Sequence, residues 1–186
     1  MSKYREVREE TIRVWEGKVR VYAGGLAHVY AGVIAYVLEG GTAYVYACGW
    51  GGVYNGGEAD VLAGGKVAVF DGGKARVHDG GEAVVRAGGI AEVYKHGKAF
   101  VKKGGGAVIL GEGGLGIVRK GGTAVVSKGG TAVVLDGGKV QVNPGGEAYA
   151  HKGGYIEVYP GGHAEGPGEI VEVKEGDKKW LMNTHE

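Results

Sequence analysis

The chain of 186 residues has few of the residues that mark several common classes of protein. It has a single cysteine, Cys48, so no disulfide can form within the chain and no cluster of thiols can hold zinc. The 22 basic and 21 acidic side chains nearly cancel, so no bulk charge indicates a nucleic acid or a membrane as partner. No apolar run reaches membrane-spanning length.

The first residues, MSKYREVREETIRVW, lack the apolar stretch of a secretory signal peptide. We therefore expect a protein that is not exported by the ordinary route and has no membrane partner. The expected setting is cytoplasmic or virion-associated.

Glycine is abundant, with 42 residues against 3 prolines, and the glycines are in phase. From residue 16 onward a glycine doublet returns at intervals of eight, in the unit G-G-x-A-x-V-x-x. Such a fixed period is typical of arrays whose repeats bury apolar surface only by stacking on their neighbours. The larger apolar residues of the two ends suggest caps, which gives an N-terminal cap at 1–15, a solenoid at 16–168, and a C-terminal cap and tail at 169–186.

Alanine at position four and valine at position six of the octet predict a strand with one buried face. Positions three, five and seven then point outward. Helix is excluded, because each glycine within a helix costs about 1 kcal/mol. A meander of hairpins joined by three-residue loops stays an alternative, because such loops keep the inward residues of neighbouring strands on the same face of the sheet.

The number of strands in each coil is predicted from position seven, where leucine recurs at every third octet, as in Leu38, Leu62, Leu110 and Leu135. This recurrence favours an all-β, single-chain parallel β-solenoid with 24 residues and three strands per coil. A flatter roll of 16 residues per coil stays open, because alanine and valine alone could fill a thin interior. Between Gly104 and Gly113 the spacing is nine, so we expect one extra residue to bulge there.

The repeats, as in GGTAYVYA and GGKARVHD, resemble the short octapeptide-repeat β-solenoids found in bacterial and phage reading frames. They are similar, more loosely, to the G-G-x-A stretches of autotransporter passengers. The resemblance covers about residues 16–168. It implies a structural or interaction role and brings no catalytic residues with it.

No motif indicates a reaction or a cofactor. GEGGLG at 111–116 satisfies G-x-G-x-x-G, but another strand is expected after it where a dinucleotide-binding fold needs a helix. The six histidines show no metal-ligand spacing, and Cys48 has no evident activating base, although folding could bring His28 close. We expect no enzyme, no cofactor and no metal.

Three sets of outward residues are candidate binding surfaces. Under the three-sided coil an apolar stripe forms a candidate protein interface of Leu38, Leu62, Val84, Val108, Leu110, Val133 and Leu135. A candidate sugar-stacking ladder, with Tyr30 and Tyr54 beside it, contains Tyr22, Tyr46, Phe70 and Tyr94. A candidate anion-binding cluster contains Lys95, Lys102, Lys103, Arg119, Lys120, Lys128 and Lys152.

These observations predict a non-enzymatic solenoid that presents a rigid surface for self-assembly or protein binding, most simply as a homo-oligomer. A phage or bacterial structural or host-interaction protein fits this role. The alternatives are a β-helix that binds carbohydrate through its tyrosines, and one that binds an anion, a nucleotide or a nucleic acid through its lysines.

Overall fold

The structure is a computed structural model that describes residues 4–109 and 112–174. It is all-β in this part of the chain. The first eleven strands are β1 (Arg5–Val7), β2 (Thr11–Val14), β3 (Lys18–Val21), β4 (Leu26–Val29), β5 (Ile34–Val37), β6 (Thr42–Val45), β7 (Trp50–Val53), β8 (Glu58–Val61), β9 (Lys66–Val69), β10 (Lys74–Val77) and β11 (Glu82–Val85). The next are β12 (Ile90–Val93), β13 (Lys98–Val101), β14 (Gly106–Ile109), β15 (Leu115–Val118), β16 (Thr123–Val126), β17 (Thr131–Val134), β18 (Lys139–Val142), β19 (Glu147–Ala150), β20 (Tyr155–Val158), β21 (His163–Glu165) and β22 (Glu169–Glu172).

The strands form two parallel sheets that face each other. Sheet A contains the eleven odd-numbered strands in chain order, and sheet B contains the eleven even-numbered strands in chain order. Each strand pairs with the strand two places along the chain, as in the register of Lys18 with Ile34. The prediction of a parallel β-solenoid is thus confirmed.

The prediction of 24 residues and three strands per coil is wrong, because residues stack at intervals of sixteen, two strands to a coil. The side-chain sizes give the physical reason. Both sheets bury alanine at position four and valine at position six in the space between them. Ala43 and Val45, for example, are 0% exposed. Such small side chains fill the thin space between two facing sheets, which was the alternative left open.

The predicted alternation of inward and outward positions is confirmed, since most strands alternate a half-buried or exposed residue with a buried one. Position seven lies at the turns. We call the turns after sheet A strands the first edge and those after sheet B strands the second edge.

The two glycines of each doublet have different tasks in the turn. The first has a positive φ, as in Gly24 at 72°, a conformation that glycine adopts without strain. The second donates its N–H to the carbonyl of position seven, as from Gly25 to Tyr22 at 2.9 Å, and packs on the coil beneath. The turns also bond between coils, from the Gly24 N–H to the Gly40 carbonyl at 3.1 Å.

The irregular spacing between Gly104 and Gly113 leaves the stacking intact. Lys98 pairs with Leu115, seventeen residues later, and its neighbours follow in step. The chain between β14 and β15 therefore has one residue more than the regular octet, and this is where a bulge at Gly111 or Glu112 is predicted. Leu110 and Gly111 lie outside the described residues.

The two ends of the solenoid are strands of the same sheets. β1 pairs with β3 and β22 pairs with β20, and Val7 is fully buried. Trp15 is 65% exposed. The predicted cap residues Trp180, Leu181 and Met182 lie outside the described residues, and the cap boundaries stay a prediction.

Three non-glycine residues have a positive φ at the position of the first glycine of a turn, Glu9 at 52°, Cys48 at 59° and His96 at 52°. We expect Cys48→Gly to raise the free energy of unfolding by about 1 kcal/mol, because it removes left-handed strain from an exposed side chain. Denaturant unfolding followed by far-UV circular dichroism measures this change. A loss of stability would show that the sulfur has a packing role.

Candidate functional site

The outer face of sheet A carries an apolar column. Position five of six consecutive sheet A strands, from β9 to β19, holds an apolar side chain, and adjacent members are direct cross-strand partners. We call this set the apolar column: Ala68, Val84, Phe100, Ile117, Val133 and Tyr149. Most of its members are half-buried, and Tyr149 is 38% exposed. One face of the molecule therefore presents a continuous apolar strip of a kind that monomeric soluble proteins rarely expose.

Position three of the same strands flanks the apolar column and is mostly polar. Lys66 forms an ion pair with Glu82 at 3.0 Å, and Glu147 and His163 are exposed further along. The apolar column thus has a charged border on one side, as the rim of a protein interface has.

The outer face of sheet B carries a cluster of charged side chains on β8 and β10. Asp60, which is 7% exposed, accepts hydrogen bonds from Arg76 at 3.1 Å and pairs with His78 Nε2 at 2.9 Å. Arg76 also reaches Glu58 at 2.9 Å. Desolvation by itself would lower the pKa of Arg76, but the two carboxylates outweigh it and raise the pKa.

This cluster links adjacent coils rather than exposing a reactive group. The Arg76 guanidinium is shared between two carboxylates of the coil beneath, and the His78 ring stacks on Tyr94 at 5.3 Å. Tyr94 donates its hydroxyl proton to Glu92 at 2.8 Å, and this bond, with burial, raises the pKa of Tyr94. The titratable groups are paired with one another, which favours a stabilising role.

The predicted apolar stripe is divided by the sixteen-residue coil. Leu38 and Leu135 lie at the first edge, and Leu62 lies at the second edge. Val84 and Val133 belong to the apolar column, whereas Val108 is on the outer face of sheet B. Leu110 lies outside the described residues. Among the described residues, the predicted interface is therefore divided among four surfaces, with at most two members on any one of them.

The predicted aromatic ladder is likewise rearranged. Tyr22 and Phe70 lie at the first edge, while Tyr46 and Tyr94 lie at the second. Rings stack at intervals of about one coil instead, with Tyr54 on Phe70 at 4.7 Å and Tyr30 on Tyr46 at 4.8 Å. Burial raises the pKa of Tyr46, and the electrostatic effect of the neighbouring Tyr30 raises it further.

The stacking limits what these rings can bind. Trp15 lies on Tyr30 with centroids 3.9 Å apart, beside a shallow groove of about 570 Å³ that Ala31, Ala47 and Ala63 help to line. The ring faces contact one another along this stack, so they are not free for a sugar that would stack on a face. This geometry favours bracing between coils over carbohydrate binding.

The basic cluster is divided between the two edges. Lys95 and Lys128 follow sheet B strands at the second edge. The first edge holds the rest of the predicted cluster, joined by Arg86, which the sequence did not single out: Arg86, Lys102, Lys103, Arg119, Lys120 and Lys152. Lys152 is separated from the others by the coil that carries Leu135 and Asp136.

The remaining candidates have structural explanations. His28 Nδ1 is 2.9 Å from the Tyr46 hydroxyl, so this ring nitrogen is paired with a tyrosine. β15 begins inside GEGGLG at Leu115, and a strand follows the motif as expected. Over residues 4–109 and 112–174, no group of three or more His, Cys, Asp or Glu side chains is arranged to hold a metal ion. That part of the chain has no helix long and apolar enough to cross a membrane.

Comparison with known proteins supports the fold. No protein-family model matches the chain, and no curated protein sequence matches it. A solved structure described as the crystal structure of a TibC-catalyzed hyper-glycosylated TibA55-350 fragment is similar, with 22% sequence identity and a TM-score of 0.50. The alignment covers 92% of each chain. At this identity the likeness shows the shared β-solenoid fold alone.

Proposed function

We propose that this protein is a non-enzymatic structural scaffold that pairs with a second copy of itself through the outer face of sheet A. The apolar column carries this proposal, because it is a continuous apolar strip along six adjacent strands of one face. The phage or bacterial setting suggested by the repeats stays a prediction.

A second copy fits this face in a single register. A two-fold axis parallel to the strands, passing between β13 and β15, brings sheet A of each copy face to face. Eight strands of each copy then meet a strand of the other copy, β13 with β15, β11 with β17, β9 with β19, and β7 with β21. Because the axis is parallel to the strands, position five faces position five and position three faces position three.

In this register the side chains complement one another. Phe100 meets the partner's Ile117, and Val84 meets the partner's Val133. The small Ala68 meets the bulky side chain of the partner's Tyr149, which suits the interdigitation of sheets packed about 10 Å apart. At position three, Lys66 faces the opposite charge of the partner's Glu147.

The paired area is that of a small protein interface. Eight strands of about four residues, spaced about 4.8 Å apart, cover roughly 500 Å² on each copy before side-chain relief is counted. A standard interface buries about 800 Å² on each partner. The proposed pairing therefore lies at the lower end of the range for specific interfaces.

The test measures mass in solution. Wild-type protein should be a dimer by light scattering at micromolar concentration, and Phe100→Lys should make it a monomer by placing a charge in the interface. The matched control is Ile90→Lys, because Ile90 is 41% exposed on the opposite sheet. This variant should remain dimeric. A wild-type chain that is monomeric at high concentration would exclude the proposal.

A charge exchange tests the register. Lys66→Glu and Glu147→Lys should each weaken the dimer by about tenfold, since each places like charges opposite each other. The double variant should recover most of the affinity. Additive losses in the double variant would show that Lys66 and Glu147 do not meet across the interface.

A further inference from the structure

Five cationic side chains lie together on three consecutive coils of the first edge. We call them the basic edge patch: Arg86, Lys102, Lys103, Arg119 and Lys120. β11, β13 and β15, which they follow, are adjacent strands about 4.8 Å apart. All five side chains are exposed, and none forms an ion pair with a carboxylate of the described residues. Elsewhere in the same structure charges on adjacent coils alternate in sign, as Asp60 and Arg76 do.

The patch has defined ends along the solenoid axis. Asp71 occupies position eight on the preceding coil, and Asp136 occupies it on the following coil. Position-eight side chains lie over the first glycine of the next coil, as the Lys103 side chain does over Gly121. An anion lying along the edge therefore meets a carboxylate beyond either end of the patch, so the site suits a short anion of high charge density.

The surface beside the lysines is open. A trough of about 340 Å³ follows the glycine turns of the same coils, between Ile90 and Thr123. There is open space beside Gly106, since a β-carbon there would meet only the Thr123 hydroxyl oxygen at 3.9 Å. The turn amides are already bonded along the edge, as from the Gly104 N–H to the Gly121 carbonyl at 2.7 Å. Recognition therefore falls to the cationic side chains and the Thr123 hydroxyl.

We propose that the basic edge patch binds a compact polyphosphate, in which linked phosphoryl groups span about three coils. Two of the five cations are arginines, whose planar guanidinium groups match phosphate oxygens in pairs. The linked phosphoryl groups come from inorganic polyphosphate or from the phosphate chain of a nucleotide. This proposal does not rest on the dimer, since its residues lie on an edge and not on the outer face of sheet A.

The test is isothermal titration of the full chain with sodium tripolyphosphate, ATP and orthophosphate at low salt. Tripolyphosphate should bind, orthophosphate should bind much more weakly, and the affinity for tripolyphosphate should fall as sodium chloride is added. ATP that binds more tightly than tripolyphosphate would identify a nucleotide site that also uses the trough. Tripolyphosphate that binds more tightly would identify inorganic polyphosphate.

Two double variants compare lysines of the first edge with lysines of the second edge. Lys102→Glu with Lys120→Glu should weaken tripolyphosphate binding by at least about tenfold. Lys95→Glu with Lys128→Glu makes the same charge change at the second edge and should leave binding within about twofold. Circular dichroism confirms that both variants fold. Equal losses in the two variants would show nonspecific attraction, and no binding by the wild-type chain would overturn the proposal.

The acidic ends give a second test against an extended nucleic acid. Wild-type protein should bind tripolyphosphate more tightly than a hexathymidylate of similar charge, because the flanking phosphates of the oligonucleotide approach Asp71 and Asp136. Asp71→Asn with Asp136→Asn should strengthen oligonucleotide binding more than tripolyphosphate binding. If hexathymidylate binds more tightly to the wild type, the site accommodates an extended phosphodiester and the compact-ligand proposal is wrong.

Discussion

Val126→Asp should unfold or severely destabilise the protein, whereas Val125→Asp, at the adjacent position, should be tolerated. Val126 is fully buried between the two sheets, and its strand β16 is paired on both sides in sheet B. A carboxylate there has no cationic partner, so we expect a loss of about 3–5 kcal/mol in the free energy of unfolding. Val125 points outward and is half-buried. Its replacement should cost about 1 kcal/mol.

The pair is well matched, because both variants lose the same β-branched side chain and gain the same charge in one strand. Any difference between them reports burial alone. Urea unfolding followed by far-UV circular dichroism measures both variants, and the midpoint is the safer comparison because stacked repeats need not unfold in one step. Similar midpoints would show that the inward and outward positions of the octet are not those of the structure.

The octet itself makes this parity predictable from sequence. Alternation of alanine and valine with variable residues fixes which side chains are inward, and it does so whatever the number of strands in a coil. The number of strands depends on which octets stack, and inward alanine and valine are nearly identical in every octet. The recurrence of leucine, as in Leu38 and Leu62, was therefore a weak guide. These residues lie at turns of opposite edges.

The candidate surfaces depend on the coil, so they changed with it. Val84, Phe100 and Val133 form one column only when the chain is aligned at intervals of sixteen, with one step of seventeen at the turn before Leu115. A period of twenty-four instead grouped leucines from both edges. The size of the inward residues could have decided between coils of sixteen and twenty-four residues. The three-sided coil has a wider interior, which would need larger side chains than alanine and valine.

The two proposals also bear on each other through symmetry. A two-fold axis parallel to the strands keeps the first edges of both copies on the same side of the dimer. The basic edge patch lies next to this axis, since β13 and β15 flank it, so Lys102 comes near the partner's Arg119. Bound polyphosphate would offset the repulsion between the two patches. Polyphosphate binding and dimerisation would then favour each other by the same factor, as linkage requires.

Gly57→Ala should destabilise the protein by about 3 kcal/mol, whereas Gly106→Ala should be neutral or stabilising. Gly57 is the second glycine of its doublet, and a β-carbon there would lie 2.6 Å from the Val37 carbonyl oxygen of the coil beneath. That oxygen accepts the Tyr54 N–H at 2.9 Å, so it cannot move without disturbing the bond between the coils.

The control makes the same chemical change where the structure has room. At Gly106 the added methyl group meets only the Thr123 hydroxyl oxygen at 3.9 Å, and a less flexible unfolded chain should contribute a gain of up to about 1 kcal/mol. Denaturant midpoints of the two variants give the comparison. If Gly57→Ala were as stable as the wild type, close contact between coils would not explain the second glycine, and only the positive φ of the first glycine would account for the doublet.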